Sequence, residues 1–205
     1  MSEFLRQVGS ELSELLSFFV TVALLQNLVL TTGFGSSMVL HIVRKPKNIW
    51  LTTALLTVFS VLTVTIAYPL DNLFGTAITN YWRPLMLVCI TVILYIVATV
   101  ILMYACPTFY RRVSRLLPIA AFNNLVLGIA LVANVQFSST LGGLIGLAVG
   151  SCLGFGLLAW FTAEGIERMD NPDMPGAFRG MPSILVYLGL LALALLGFTS
   201  DFSLI

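Results

Sequence analysis

The residues of this chain that could form a chemical site lie in two polar stretches within apolar sequence. The first stretch is LLQNLVLTTGFGSS (residues 24–37), and the second is AAFNNLVLGIA (residues 120–130), which repeats the tetrapeptide NLVL. Their amides and helix-breaking glycines are Gln26, Asn27, Gly33, Gly35, Asn123 and Asn124. Amide side chains can hydrogen-bond the backbone groups that a broken helix frees inside a membrane. The pair therefore predicts a central polar site, with simple hydrogen bonding between helices as the alternative.

Composition places this site in a membrane. The chain has 205 residues, of which 59% are hydrophobic and 9% charged, and its mean hydropathy is +1.01. Soluble domains carry about 25% charged residues, so this chain has too little polar surface to coat a soluble protein. The net charge of +1 gives no case for binding nucleic acid.

Thiol and imidazole side chains form no recognisable metal motif. Cys89, Cys106 and Cys152 are far apart, and their odd number argues against a disulfide framework. We expect them to be small, buried packing groups. His41 is the only histidine and has no cysteine or carboxylate beside it, which is a poor pattern for a metal site.

Runs without acidic or basic residues predict six membrane crossings. Since a helix needs about 20 apolar residues to cross the hydrocarbon, the longest run, 116–163, must hold two crossings. The predicted crossings lie near residues 15–34, 49–69, 85–105, 116–134, 141–163 and 182–200. By this count no charged side chain lies inside a span, which weakens the case for ion pumping by this chain alone.

Basic residues alternate strongly between the two sides of the membrane. Of the 10 lysines and arginines, 8 lie in the loops after crossings one, three and five. They are Arg44, Lys45, Lys47, Arg111, Arg112, Arg115, Arg168 and Arg179. Because basic loops stay in the cytoplasm, we expect both termini outside a bacterial-type inner membrane. The RKPK and RRVSR clusters are interpreted as topology anchors, with contact to anionic lipids as a second possibility.

An internal repeat relates the two halves. Shifting the sequence by 97 residues aligns Asn27 with Asn124, and Gln26 with Asn123. Three crossings in each half make the second half run in the opposite direction. The predicted fold is therefore an all-α polytopic membrane protein, a single domain over 1–205 with inverted three-helix repeats near 14–105 and 112–200. In such folds the interrupted helices, here one and four, meet near the middle of the membrane.

Small residues also predict one close helix contact. Gly142, Gly146 and Gly150 lie four residues apart in the fifth predicted crossing. This spacing is typical of helices whose backbones approach closely in membranes.

The last loop and helix carry a more specific pattern. Residues 167–200 read ERMDNPDMPGAFRGMPSILVYLGLLALALLGFTS. The acidic–basic pair, the DMP and FRG elements and the final GF, with the paired NLVL stretches, resemble the membrane subunits of Rnf and Nqr electron-transport complexes. The resemblance is to the RnfA/NqrE-like branch and covers most of the chain.

That resemblance implies a function, a partner and a cofactor. Such subunits pair with an oppositely oriented homologue of the RnfE/NqrD type, and the pair holds a shared [2Fe–2S] cluster through four cysteine thiolates. At the family's two cysteine positions this chain has Ser37 and Asn124, which cannot supply thiolates. The predicted function is a membrane subunit, at most non-catalytic, of an ion-translocating redox complex with further subunits. The alternative is a small-solute or cation transporter without a redox centre.

Overall fold

The computed structural model describes residues 2–25, 29, 32–43, 46–74, 76–132, 140–169, 175 and 180–202. Across these residues the chain is helical, with no β-strand. Its α-helices are α1 (Ser2–Val20), α2 (Ser36–Ile42), α3 (Ile49–Phe74), α4 (Thr76–Ala105), α5 (Pro107–Val113), α6 (Leu117–Ala121), α7 (Asn124–Val132), α8 (Leu141–Met169) and α9 (Met181–Phe202). A π-helical turn, Thr21–Leu25, continues α1, and a 3₁₀ turn, Pro46–Asn48, precedes α3.

Three described helices are long and apolar enough to cross a membrane. They contain the candidate spans Ile49–Asp71, Trp82–Ala105 and Leu141–Arg168. A fourth candidate is the pair Pro107–Val113 and Leu117–Val132, which is bent by 66°. The described residues thus give an all-helical chain with three or four candidate spans, and the all-α membrane class is confirmed. The six-crossing arrangement stays a prediction.

The candidate spans extend beyond the predicted charge-free runs and include charged residues near their ends, so the expectation of charge-free spans does not hold for them. Asp71 lies at the end of one candidate span, and Arg83 is the second residue of the next. Arg83 Nη2 lies 3.1 Å from Asp71 Oδ2, and both side chains are only 11% exposed. A span predicted from an uncharged run ends at the first charged residue. The helix itself can continue, because its backbone hydrogen bonds do not depend on the charge of the side chain. Pairing lowers the cost of keeping the two charges there.

Helix α8 is at the centre of the packing, between α1 and α3. A Cβ atom on Gly146 would lie 2.5 Å from the carbonyl oxygen of Leu15, and one on Gly150 would lie 2.8 Å from that of Phe19. These glycines therefore let α1 and α8 approach backbone to backbone. The predicted close contact is confirmed at Gly146 and Gly150.

Helix α4 is far less covered than α8. In the most apolar part of each candidate span, 17% of the residues of α4 are buried, against 67% of those of α8. The uncovered apolar side chains of α4 include Leu85, Ile93, Ile96, Val100 and Ile101. In a membrane protein such a surface faces lipid or another subunit.

Candidate functional site

The first polar stretch contains a break between helices. The π-helical turn Thr21–Leu25 leads into it, and α2 starts at Ser36. Gly33 and Gly35 have φ angles of 74° and 81°, in the left-handed region that glycine tolerates best. The Ser36 N–H donates to the Gly33 carbonyl at 3.2 Å, so the backbone is satisfied locally as the helix restarts. The predicted site residues Gln26 and Asn27 lie outside the described residues.

The second polar stretch is broken between α6 and α7. Asn123 precedes the first residue of α7, and its Oδ1 accepts a hydrogen bond from the Leu125 N–H at 2.8 Å. This is the N-cap geometry, in which a side-chain oxygen satisfies one of the free N–H groups at a helix start. Asn123 is 6% exposed, so its cap works in the protein interior.

The two broken segments pack directly against each other. The Asn123 Nδ2 group donates a hydrogen bond to Met38 Sδ, which joins the start of α7 to α2. A Cβ atom on Gly35 would lie 3.2 Å from Leu125 Cβ. On the other side of the contact, the ring of Phe34 occupies the space that a side chain at Gly128 would need. We call this contact the junction, defined by Phe34–Met38 and Asn123–Gly128.

Ser37 and Asn124 take the exposed positions at the junction. Met38 and Asn123, their chain neighbours, are buried at 3% and 6% exposure. Ser37 and Asn124 themselves are exposed. Each polar stretch therefore contributes one inward side chain that joins the two segments and one outward side chain on the surface beside it.

The donor set at the junction does not suit an iron–sulfur cluster. A hydroxyl at Ser37 and an amide at Asn124 offer no thiolate, the ligand that such clusters use. Among the described residues, no group of three or more histidine, cysteine or acidic side chains is placed to hold a metal ion. Cys152 is buried between α8 and α3, with its thiol 3.4 Å from Ser60 Oγ. Cys89 and Cys106 are exposed, so the expectation of three buried cysteines holds only for Cys152.

Arg83 is a positioning residue that the sequence interpretation missed. Besides its ion pair with Asp71, it donates from Nη2 to the Ala130 carbonyl at 3.0 Å. Ala130 lies in the last turn of α7, where carbonyl groups have no partner within the helix and where a cation is favourable. The two ends of α7 are thus held by Asn123 and Arg83. A lone arginine entering an apolar run, on the side with few basic residues, is the signal that could have found it.

Helix α3 carries a row of buried hydroxyl groups. Thr52, Thr53, Ser60 and Thr63 are at most 3% exposed. Thr53 Oγ1 donates to the carbonyl of Ile49, one turn earlier, at 2.9 Å. Within the described part of the chain, Thr52 Oγ1 and Thr63 Oγ1 have no hydrogen-bond partner. Such groups are costly in an apolar interior.

Comparison with known proteins decides the family. Residues 15–200 match the family described as "Rnf-Nqr subunit, membrane protein". The chain belongs to the Rnf-Nqr family. The resemblance seen in the sequence is therefore confirmed, and the match covers both polar stretches and every candidate span.

Curated Rnf-Nqr relatives align over nearly their full lengths. The chain is 28% identical over 190 residues to the A subunit of the ion-translocating oxidoreductase complex of Pasteurella multocida, covering 92% of this chain and 98% of that one. It is 29% identical over 188 residues to the protein of the same name from Actinobacillus pleuropneumoniae, covering 88% and 93%. A third protein of this name, from Histophilus somni, is 29% identical over 183 residues, with the same coverage.

Proposed function

We propose that this chain is a membrane subunit of an Rnf/Nqr-type ion-translocating electron-transport complex, and that it scaffolds the intramembrane centre together with an oppositely oriented homologous subunit. Membership of the Rnf-Nqr family supports the proposal, as do relatives named as the A subunit of an ion-translocating oxidoreductase complex. The observation that carries it is the junction, where the broken segments of both halves meet through Asn123 and Met38.

In this proposal the single domain crosses the membrane six times, as inverted repeats near 14–105 and 112–200. Contacts at the two ends of the molecule support that alternation. His41 and Arg111, from the loops after crossings one and three, line one cavity. Arg83, from the loop after crossing two, reaches Ala130 near the end of crossing four. The 8-to-2 division of basic residues supports a bacterial inner membrane with both termini outside.

The partner would cover the surface at Ser37 and Asn124. Both side chains are exposed beside buried neighbours, and the apolar side of α4 is also uncovered. A polar pair on the surface at membrane depth is costly when it faces lipid, and a polar surface of an oppositely threaded subunit would remove that cost.

The cofactor is a separate question, because the donor set of this chain does not fit a four-thiolate cluster. We propose that this chain contributes scaffold and not ligands to any redox centre in the complex. Replacing both residues, as Ser37→Cys with Asn124→Cys, should raise the iron and acid-labile sulfide bound per complex. Ser36→Cys with Phe122→Cys is the control, because it adds two thiols beside the ligand positions and leaves those positions and Asn123 unchanged. Equal iron in the two double variants would contradict this assignment of the ligand positions.

Co-purification tests the proposed function. The tagged chain is extracted from its native membranes in a mild detergent, and the accompanying proteins are identified by mass spectrometry. We expect a related membrane subunit with the opposite charge bias, together with redox subunits. Ser37→Trp should reduce recovery of that related protein, whereas Gly9→Trp in α1, an exposed position with no neighbouring atom within 4 Å, should not. Recovery of this chain without any related subunit would contradict the proposal.

The second candidate function is a small-solute or cation transporter without a redox centre. The observation in its favour is the row of buried hydroxyls in α3, two of which have no hydrogen-bond partner among the described residues. Solute flux in proteoliposomes that contain this chain and no redox partner would favour transport. Absence of such flux, with intact co-purification of redox subunits, would favour the electron-transport complex.

A further inference from the structure

One cavity of this chain lies outside the junction and is lined by cations. It has a volume of about 480 Å³ and receives Arg111 and Arg112 from α5 and Arg115 from the turn before α6. His41 at the end of α2 and Asn48 in the 3₁₀ turn complete its polar lining. The volume is within the usual range of small-molecule sites, about 300–1,000 Å³.

None of the three arginines forms an ion pair within the described part of the chain. The ion pairs described there join Arg83 to Asp71 and Arg168 to Glu164. Arg111, Arg112 and Arg115 are exposed, and together with His41 they are the cationic or titratable groups that line the cavity among the residues that the structure describes. Three guanidinium groups within five residues repel one another, so a bound anion would stabilise this arrangement.

Apolar side chains also line the same cavity. Ile42, Leu116 and Ile119 line it; Ile42 is 2% exposed, whereas Ile119 is 41% exposed. The arginines of the cavity follow the candidate span Trp82–Ala105 in the chain. They lie on α5 and in the turn after it, where Pro107–Val113 and Leu117–Val132 meet at a bend of 66°. The cavity therefore lies at the end of an apolar span, with both cationic and apolar side chains in its lining.

We propose that this cavity binds a phosphate group, and that its source is the head group of an anionic phospholipid. The guanidinium fork matches the oxygens of a phosphate in a bidentate way, which explains three arginines better than a general need for positive charge. The apolar lining residues would contact the glycerol and first methylene groups of a lipid, which free phosphate lacks. This site is independent of the junction and of its cofactor, so it is tested separately from the proposed function.

Lipid retention and thermal stability test the proposal. The full-length chain, with the subunits that accompany it, is placed in nanodiscs of phosphatidylglycerol or of phosphatidylcholine, and retained lipids are counted by native mass spectrometry. The test variant is Arg111→Gln/Arg112→Gln/Arg115→Gln. The control is Arg168→Gln, another exposed arginine that does not line the cavity. A second arm measures the change in Tm when inorganic phosphate is added in neutral detergent.

Each basic residue near an anionic membrane surface contributes roughly a five-fold change in affinity. We therefore expect the triple variant to lose retained phosphatidylglycerol at least ten-fold, while phosphatidylcholine retention and the Arg168→Gln control stay unchanged. If the triple variant does not accumulate, the three single glutamine variants and the triple lysine variant replace it. Lysine keeps the charge but loses the fork, so it should retain less phosphatidylglycerol than wild type and more than glutamine.

The two arms distinguish the sources of phosphate. Stabilisation of wild type by inorganic phosphate, lost in the triple variant and without any preference for phosphatidylglycerol, would support a phosphate site for a soluble ligand and overturn the lipid assignment. Equal lipid retention and equal phosphate response in wild type and all arginine variants would overturn the site itself.

Discussion

Replacing Asn123 by alanine removes the polar side chain that joins the two broken segments. In wild type its Oδ1 caps α7 through the Leu125 N–H at 2.8 Å, and its Nδ2 reaches Met38 Sδ. Loss of an N-cap costs about 1 kcal/mol, with a range of roughly 0.5–2 kcal/mol. Leu125 is 0% exposed, so water cannot replace the cap, and a buried N–H without a partner costs about 1–3 kcal/mol. These two estimates describe overlapping effects, and together they predict a loss of about 1–3 kcal/mol.

Serine at position 123 is the matched control. Asn123→Ser keeps an oxygen that can cap the helix and loses only the contact with Met38. Thermal unfolding of the purified chain in detergent measures the difference. Since 1 kcal/mol corresponds to about 2–4 °C for a domain of this size, Asn123→Ala should lower the Tm by roughly 5 °C and Asn123→Ser by clearly less. The capping argument is refuted if alanine leaves the Tm unchanged, or if serine lowers it as much as alanine does.

Two further predictions concern packing and charge. Gly146→Ala should destabilise the chain by about 1–3 kcal/mol, because the added Cβ would lie 2.5 Å from the Leu15 carbonyl oxygen. Gly189→Ala is the control: no atom lies within 4 Å of its added Cβ, so it should be neutral or stabilise the chain by up to about 1 kcal/mol. Equal effects of the two alanines on Tm would contradict a close α1–α8 contact. Arg83→Met should cost about 1–3 kcal/mol because it leaves the largely covered Asp71 carboxylate without this cation, and adding Asp71→Asn should recover part of that loss. Additive losses in this double-mutant cycle would contradict the pairing.

The sequence predicted the class of this protein and the locations of its helix breaks for physical reasons that act locally. The scarcity of charge requires a membrane, and glycines such as Gly33 and Gly35 allow the backbone to turn where an apolar run is too long for one span. The spacing of Gly146 and Gly150 predicts close packing because no side chain intervenes. None of these conclusions depends on which distant residues meet.

The parts that could not be predicted depend on long-range contacts or on backbone detail. Asn123 and Asn124 are adjacent amides, and only the exact start of α7 decides that the first caps the helix while the second is exposed. The contact of Arg83 with Ala130 joins residues 47 positions apart. A span predicted from uncharged residues alone also begins after Arg83, although the candidate span of the structure includes it. The basic cavity likewise combines residues from α2 with residues from α5.

The inverted threading of the two halves is the central claim, and labelling from one side of the membrane tests it most directly. Single cysteines are placed in a cysteine-free background at four exposed positions, Gly9, Lys47, Leu73 and Arg168. Intact cells are then treated with a membrane-impermeant thiol reagent. The account predicts labelling at positions 9 and 73 from outside, and labelling at 47 and 168 only after the membrane is opened. Labelling of positions 9 and 47 from the same side would contradict it.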